Sequence, residues 1–363
     1  MHLQNKQFYI YGAGIFGKAL ADTFLAQGLL PAAFLDRAPK TAEYRGIPIE
    51  MLQTVQMQPN WPVFVTVLGY PETESQLRQH GFKDVFAAID VMAMFPTAVA
   101  ALNQCGFLWM QSPSSVQYDP IACPAFLALL SDQTSRDTFN QICNFRRFPS
   151  AEHYPQPECY EMYFPSDIPA LYAYPQIRLL DVGAYDGDSL AGFYQRWPAK
   201  LETYTGIEIS PQNIAAFWRR VDGLGLKTEQ VQLIKGAVGV PAGQQLVIEE
   251  NKSATRIRLL LPDEYCPAEL LVDSYDLGVI AADMRCNVLK MDIEGADFAA
   301  LKQALPYIVQ SRPTLALSVY HRPEDLWQMA LTVEAHCPGQ YLWYLRQEGH
   351  WGLETICYAV PVD

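Results

Sequence analysis

The chain has 363 residues, a length that suits two or three domains, and its 50% hydrophobic content against 18% charged residues provides for real cores rather than disorder. A formal charge of -13 argues against a nucleic-acid partner, whose phosphates need a basic face, and equally against docking on anionic membranes. The opening MHLQNKQFYI lacks the apolar core of a signal peptide, and the most apolar window, residues 86–102, is broken by Asp90 and Pro96, so a cytoplasmic protein without a transmembrane helix is expected.

Residues 8–88 alternate strand and helix signals. Residues 8–11 read as a strand, followed by the glycine turn GAGIFG at 12–17. The next helix carries Phe16, Leu20 and Phe24 on one face and ends at Gly28. Residues 33–35 form a strand ending in Asp36, residues 63–67 another, and a helix through Leu77 stops at Gly81 before a strand at 85–87. This is half of a doubly wound sheet. Asp36 lies 19 residues after Gly17, so Gly12, Gly14, Gly17 and Asp36 match a dinucleotide fingerprint in context. The second half, which normally holds a nicotinamide, is missing. The alternative is a docking domain with an inherited turn.

From residue 89 to 177 prolines recur, with short helical patterns at 124–130 and 136–147 between them. Phe, Tyr, Trp and Leu are too frequent there for a disordered linker. Eight cysteines run from Cys105 to Cys357 without a C-x-x-C pair, so reduced, mostly buried thiols are expected rather than a zinc site.

From residue 178 the α/β texture returns. Strands are expected at 178–182, 203–209, 231–235, 288–291, 314–320, 341–345 and 354–360, with helices at 189–197, 211–224, 296–305 and 324–336. An added hairpin is expected at 244–261. Strand–helix units followed by two directly connected strands imply a mostly parallel sheet with one antiparallel strand near its edge. Three segments result: 1–88, 89–177 and 178–363.

The most informative stretch is LLDVGAYDGDS at 179–189. A strand, a glycine loop and a helix make a turn in which backbone N–H groups can approach a nucleotide. Glu208 ends the next strand, where an acid can accept from both ribose hydroxyls. This reads as a site for S-adenosylmethionine (SAM), with Asp181, Gly183, Tyr185, Asp186, Gly187, Asp188, Ser189, Glu208 and Ile209 around it and Gly236 and Ala237 near the adenine. Asp292 ends a later strand and is suited to position an acceptor. His321 follows the next strand and is suited to act as general base. Arg346 and Glu354 reach the same sheet edge, and Tyr163 in the Pro-rich segment is a further candidate to contact the acceptor. Asp292, Glu294 and Asp276 offer oxygen ligands for Mg²⁺, but carboxylates beside a cationic cofactor arise without metal, and none is expected.

Residues from about 130 to 360 resemble the FkbM-type SAM-dependent methyltransferases. The matching pieces are NFRR at 144–147, YFPSDI at 163–168, LLDVGAYDGDS, EIS at 208–210, KMDIEGAD at 290–297, SVYHRPEDLW at 318–327, YLR at 344–346 and ETICYAVP at 354–361. The resemblance implies a seven-stranded class I methyltransferase sheet that usually serves methylation of oxygen. The expected acceptor is a hydroxyl on a sugar or other polar metabolite, a nucleotide-linked sugar among them. Residues 8–88 bear a weaker resemblance to the nucleotide-binding half-domain that precedes some sugar-modifying enzymes. The rival readings are an NAD(P)-dependent oxidoreductase using the N-terminal glycine turn and a non-catalytic nucleotide-binding scaffold.

Overall fold

The computed structural model describes residues 7–53, 58–67, 72–104, 118–148, 150–226, 228–251, 254–261 and 264–362. The chain forms two compact units. One comprises Met1–Tyr118, Asn140–Gln156 and His350–Gly352, the other Asp119–Phe139, Pro157–Gly349 and Leu353–Asp363. The middle segment is thus divided between the two units rather than standing as a third body.

The first unit begins with β1 (Tyr9–Tyr11), α1 (Ile15–Ala26), β2 (Ala33–Asp36), β3 (Glu43–Tyr44), β4 (Ile47–Met51), β5 (Val63–Val65), α2 (Glu72–Gln79), β6 (Val85–Phe86), α3 (Ala88–Met94) and α4 (Pro96–Gln104). Its sheet runs β3-β4-β2-β1-β5-β6. All neighbours are parallel except β3 with β4, a short hairpin that the sequence pattern did not reveal. Phe8, Phe24 and Phe64 meet edge-on and tilted at 4.8–5.6 Å between ring centres, and this aromatic cluster fills the core between sheet and helices. The expected face of α1 is the one buried: Leu20 and Phe24 are fully covered.

Then follow α5 (Ala122–Leu129), α6 (Gln133–Arg147), β7 (Ile177–Val182), α7 (Asp188–Arg196), β8 (Leu201–Glu208), α8 (Pro211–Leu224), β9 (Val231–Ala237), β10 (Gln245–Asn251), β11 (Ala254–Leu259), β12 (Leu271–Ser274), α9 (Leu277–Met284), β13 (Val288–Met291), α10 (Asp297–Ser311), β14 (Thr314–Ser318), α11 (Asp325–His336), β15 (Tyr341–Gln347) and β16 (Thr355–Pro361). The second unit holds a ten-stranded sheet ordered β11-β10-β12-β9-β8-β7-β13-β14-β16-β15. The seven strands from β9 to β15 are the expected methyltransferase sheet, with β16 antiparallel to both its neighbours. The strand count departs from seven because the expected hairpin and the unexpected β12 extend the sheet beyond β9. Residues 252–253 of that hairpin lie outside the described residues.

Local chemistry explains several boundaries. Ser210 caps α8 by accepting from Asn213 N–H, Pro211 occupies its first position, and Gly225 ends it in a left-handed conformation. Asp276 caps α9 by accepting from Val279 N–H at 3.0 Å, which assigns that acid a structural task. The seven described cysteines are free, and Cys105 lies outside the described residues. Among the described residues no helix is long and apolar enough to cross a membrane.

Candidate active site

The ends of β7, β8, β13 and β14 and the start of β16 bring the expected residues of the second unit to one sheet edge, the ligand-binding edge of an open α/β sheet. Gly183 leaves β7 with φ 86°, and a Cβ there would stand 1.9 Å from Asp292 O. Only glycine lets the two strand ends touch. Tyr185 follows with φ 46° and an exposed ring, and Gly187 at φ 85° starts α7. Asp188 opens that helix and accepts from Ser189 N–H at 2.7 Å, while the Ser189 side chain is buried.

Glu208 closes the loop from beneath. Its Oε2 accepts from Tyr185 N–H at 2.9 Å, and its Oε1 accepts from Ile209 and Ser210 N–H at 2.9 and 2.7 Å. Burial raises its pKa although these backbone bonds oppose the shift. Gly236 lies beneath the Tyr275 ring, which a Cβ would meet at 2.6 Å, and Ala237 O accepts from Tyr275 N–H. Tyr275 supplies the side chain that the sequence did not reveal beside Gly236 and Ala237.

Asp181 corrects the sequence reading. It is fully buried, and its two oxygens are taken by Lys290 Nζ at 2.7 Å and Tyr204 OH at 2.8 Å. It braces the glycine loop and has no oxygen turned to a ligand. Burial works against the Lys290 charge, but Asp181 and then Asp292 outweigh it and raise the lysine's pKa. Lys290 also donates to Gly183 O at 3.0 Å and lies 4.9 Å from the centre of the Tyr163 ring. Asp186 is engaged through Oδ2, in an ion pair with Arg220, whose Nε donates to Asp186 O at 2.9 Å, while its Oδ1 is buried and has no partner among the described residues.

Two hydroxyl donors converge on Asp292, and His321 lies beside them. Tyr163 OH reaches Oδ2 at 2.7 Å, Tyr320 OH reaches Oδ1 at 3.3 Å, and His321 Nε2 stands 3.3 Å from Oδ1. Tyr163 OH also lies 3.3 Å from Ser318 Oγ. Behind them, His321 Nδ1 is 2.9 Å from Asp297 Oδ2, and Asp297 accepts from Ile293 and Gly295 N–H, both at 2.9 Å. Glu294, at φ 53°, places Oε2 3.8 Å from His321 Nε2.

This setting changes the reading of His321. Burial disfavours its charge, but Asp297, Asp292 and Glu294 outweigh that and push its pKa up to about 10. Its Nε2 is buried and has no hydrogen-bond partner among the described residues. The surrounding acids favour the protonated ring, which argues against His321 as the resting general base.

Arg346 does not join the cluster. Its side chain is fully buried, with Asp132 Oδ2 at 2.7 Å, Asp167 Oδ2 at 2.8 Å and Ser135 Oγ at 2.8 Å. This is a structural network rather than an acceptor contact. Glu354 immediately precedes β16 at the same edge, where Val319 N–H donates to Thr355 O and Glu348 N–H to Glu354 O, both at 2.9 Å. Beside it, Glu348 accepts from Tyr163 N–H at 2.7 Å and from Tyr358 OH at 2.5 Å. Asp297, Tyr320, Lys290 and Glu348 were missed as site residues, although Asp297 closes DIEGAD and Tyr320 adjoins His321 in the sequence.

In the first unit, Asp36 folds onto its own glycine turn. Its Oδ2 accepts from Ala13 N–H and its Oδ1 from Ala38 N–H, both at 2.9 Å. Gly17 packs on Gly12 O, which a Cβ would meet at 1.9 Å, while Gly14 faces open space.

The crystal structure of methyltransferase FkbM from Methylobacillus flagellatus KT matches this chain with a TM-score of 0.70 at 21% identity, over 98% of this chain and 90% of that one. An S-adenosylhomocysteine-bound Podospora anserina methyltransferase reaches a TM-score of 0.33 at 9% identity, over 68% and 89% of the two chains. An rRNA methylase from Streptococcus thermophilus reaches 0.32 at 11%, over 52% and 89%. None of the curated proteins matches the sequence. The model of the methyltransferase FkbM domain matches residues 155–341, just over half of the chain, and the protein belongs to this family of methyltransferases, with S-adenosylmethionine as cofactor.

Proposed function

We propose that the protein methylates a hydroxyl oxygen of a small polar metabolite, a sugar or nucleotide-linked sugar. The observation that carries this reading is Asp292, set against the glycine loop, held by Tyr163 and Tyr320 and with His321 Nε2 3.3 Å from its Oδ1. A carboxylate fixed in this way accepts a hydrogen bond from an acceptor hydroxyl and orients its oxygen.

The residues fit a cationic cofactor. Gly183 and Gly187 give the loop its left-handed turns, and Asp188, Asp292, Glu294 and Glu354 outnumber the positive charges of Lys290 and His321. The loop from Gly183 through Tyr185, Gly187 and Ser189 would hold the methionine portion, Glu208 and Ile209 the ribose, and Gly236, Ala237 and Tyr275 the adenine. When bound, the cofactor supplies an electrophilic methyl group on a sulfonium. The protein's part is alignment: Asp292 and Tyr163 hold the acceptor, and buried His321 and Asp297 keep Asp292 in place.

The oxidoreductase and scaffold readings receive less support. Asp36 and Glu208 both accept from backbone N–H groups of their own turns, so that feature does not separate the readings; the methyltransferase edge in addition has its acids, tyrosines and glycine loop assembled. Gly12, Gly14, Gly17 and Asp36 leave a carrier-nucleotide role open to the first unit. Calorimetry with SAM and S-adenosylhomocysteine tests the cofactor assignment. Radiolabel transfer from SAM to a panel of monosaccharides, methyl glycosides and nucleotide sugars tests the acceptor class, and methylation confined to amines would overturn it.

A further inference from the structure

Among the acids of the site, Asp181 is engaged by Lys290 and Tyr204, Asp297 by His321, and Asp292 by Tyr163 and Tyr320, while Glu294 stands 3.8 Å from His321 with its side chain largely exposed. The Glu354 carboxylate is half-buried and has no hydrogen-bond partner among the described residues. Its backbone holds φ 54°, a left-handed conformation that glutamate adopts only when its surroundings enforce it. Gly349 packs against the side chain: a Cβ there would come 2.5 Å from Glu354 Cγ. Strain and close packing thus hold this carboxylate at the start of β16, on the edge where β13 and β14 end. The groups whose charge or titration bears on it are Lys290, Asp292 and Glu294 from β13 and its loop, Tyr320 and His321 after β14, and Glu348 after β15.

Resting on the methyl-transfer reading above, we propose that Glu354 is the catalytic residue that takes the proton of the reacting hydroxyl. The acceptor oxygen forms the new C–O bond as the C–S bond breaks, and the bonding pair stays on sulfur. The hydroxyl proton moves to the Glu354 carboxylate, which returns it to water when the product leaves. The acids around His321 favour its protonated form, and Asp292 already accepts from Tyr163 and Tyr320, so neither is as free to accept. Burial and the charges of Asp292 and Glu294 push the Glu354 pKa up to about 7 against the pull of His321 and Lys290, a value matched to proton exchange at neutral pH.

The test uses the full chain and calorimetry at pH 7 in buffers of different ionisation heat. A sulfonium entering beside a partly protonated Glu354 displaces its proton, so SAM binding releases a fraction of a proton, and S-adenosylhomocysteine, with a neutral sulfur, releases less. Glu354→Gln binds SAM without this release. Glu354→Asn is the second variant, because asparagine tolerates a left-handed backbone and removes the same charge. On the sugar that the wild type methylates, kcat falls about 10²-fold or more in both variants while SAM affinity is retained. Unchanged proton release or unchanged kcat in a folded variant overturns the proposal, as does loss of the release in Glu348→Gln instead. Failure of the wild type to bind SAM overturns the cofactor reading beneath it, a result distinct from any change confined to Glu354.

Discussion

His321 Nδ1 lies 2.9 Å from Asp297 Oδ2, and the two side chains are 5% and 0% exposed. Asp297 also accepts from Ile293 and Gly295 N–H, so the imidazolium is braced against the turn that carries Asp292 and Glu294. Arg322 Nε donates to Gly295 O at 2.9 Å and fixes the same turn from outside. The pair therefore sets the position of Asp292 from behind.

Removing the acid from this pair leaves a buried charge without its partner. Asp297→Ala should cost about 3–5 kcal/mol at pH 7. The pH dependence follows from both shifts. His321 is raised to about 10 from 6.5, so its contribution is complete below the unfolded value and is lost as pH rises through about 10. Asp297 is lowered, despite burial, by His321 and two backbone N–H groups, so its contribution is present above its unfolded value and lost as pH falls through the folded one. Urea unfolding of wild type and variant from pH 5 to 10.5 should show a difference that is level below about pH 6.5 and declines from there toward pH 10. A difference that is flat through pH 10.5 would contradict a charged His321.

Arg346 offers a contrasting case. Asp132, Asp167 and Ser135 hold its guanidinium, and Asp132 has its pKa lowered, with the Arg346 hydrogen bond overcoming burial. Arg346→Ala should lower stability by about 3–5 kcal/mol, because two carboxylates lose their counter-charge. Below its melting transition the variant should bind SAM with an affinity close to wild type. A selective loss of acceptor binding in a fully stable variant would restore Arg346 to the acceptor site.

The sheet was readable because its strands are short buried runs punctuated by glycine, as at Val182-Gly183 and Glu208. Order and spacing of LLDVGAYDGDS, KMDIEGAD and SVYH also placed Asp292 and His321 at one edge. What the residues do once there depends on three-dimensional neighbours. Nothing in the sequence around Asp181 tells that Lys290 and Tyr204 take both its oxygens, since one partner lies 109 residues away and the other 23. Likewise, three carboxylates around His321 invert the expectation drawn from its ordinary pKa. Arg346 and Glu354 look alike as polar residues bounding neighbouring strands. Only the fold shows that one meets Asp132 and Asp167 while the other stays unpaired.

Gly183 tests the contact between β7 and β13. Its φ of 86° and the 1.9 Å approach of a Cβ to Asp292 O leave no relaxed position for alanine. Gly183→Ala should push the β13 end away and disturb the glycine loop and Asp292 together. SAM affinity should fall at least 10-fold by calorimetry, with a lowered melting temperature. Gly14→Ala in the other unit, where a Cβ meets open space, should leave both unchanged. Equal tolerance of the two substitutions would show that the strand ends separate easily.

Tyr163 links the acceptor region to its scaffold. Its backbone holds φ 69°, with its N–H donated to Glu348 at 2.7 Å and its O accepting from Tyr172 OH at 3.1 Å. The ring lies beside Lys290, and the hydroxyl, kept protonated by burial and by Asp292, donates to that carboxylate at 2.7 Å. Tyr163→Phe keeps the ring, the backbone latch and the cation contact, and removes only the hydroxyl. A hydrogen bond to a charged group contributes about 1.5–3 kcal/mol, so if it holds Asp292 in its reactive position, kcat should fall roughly 10- to 100-fold. SAM affinity should stay close to wild type, because the variant leaves the glycine loop and Glu208 intact. The measurement is the initial rate of methyl transfer at saturating SAM beside calorimetric SAM binding. A kcat equal to wild type would mean that Tyr320 suffices to hold Asp292, and a loss of SAM affinity without change in kcat would move Tyr163 from the acceptor to the cofactor.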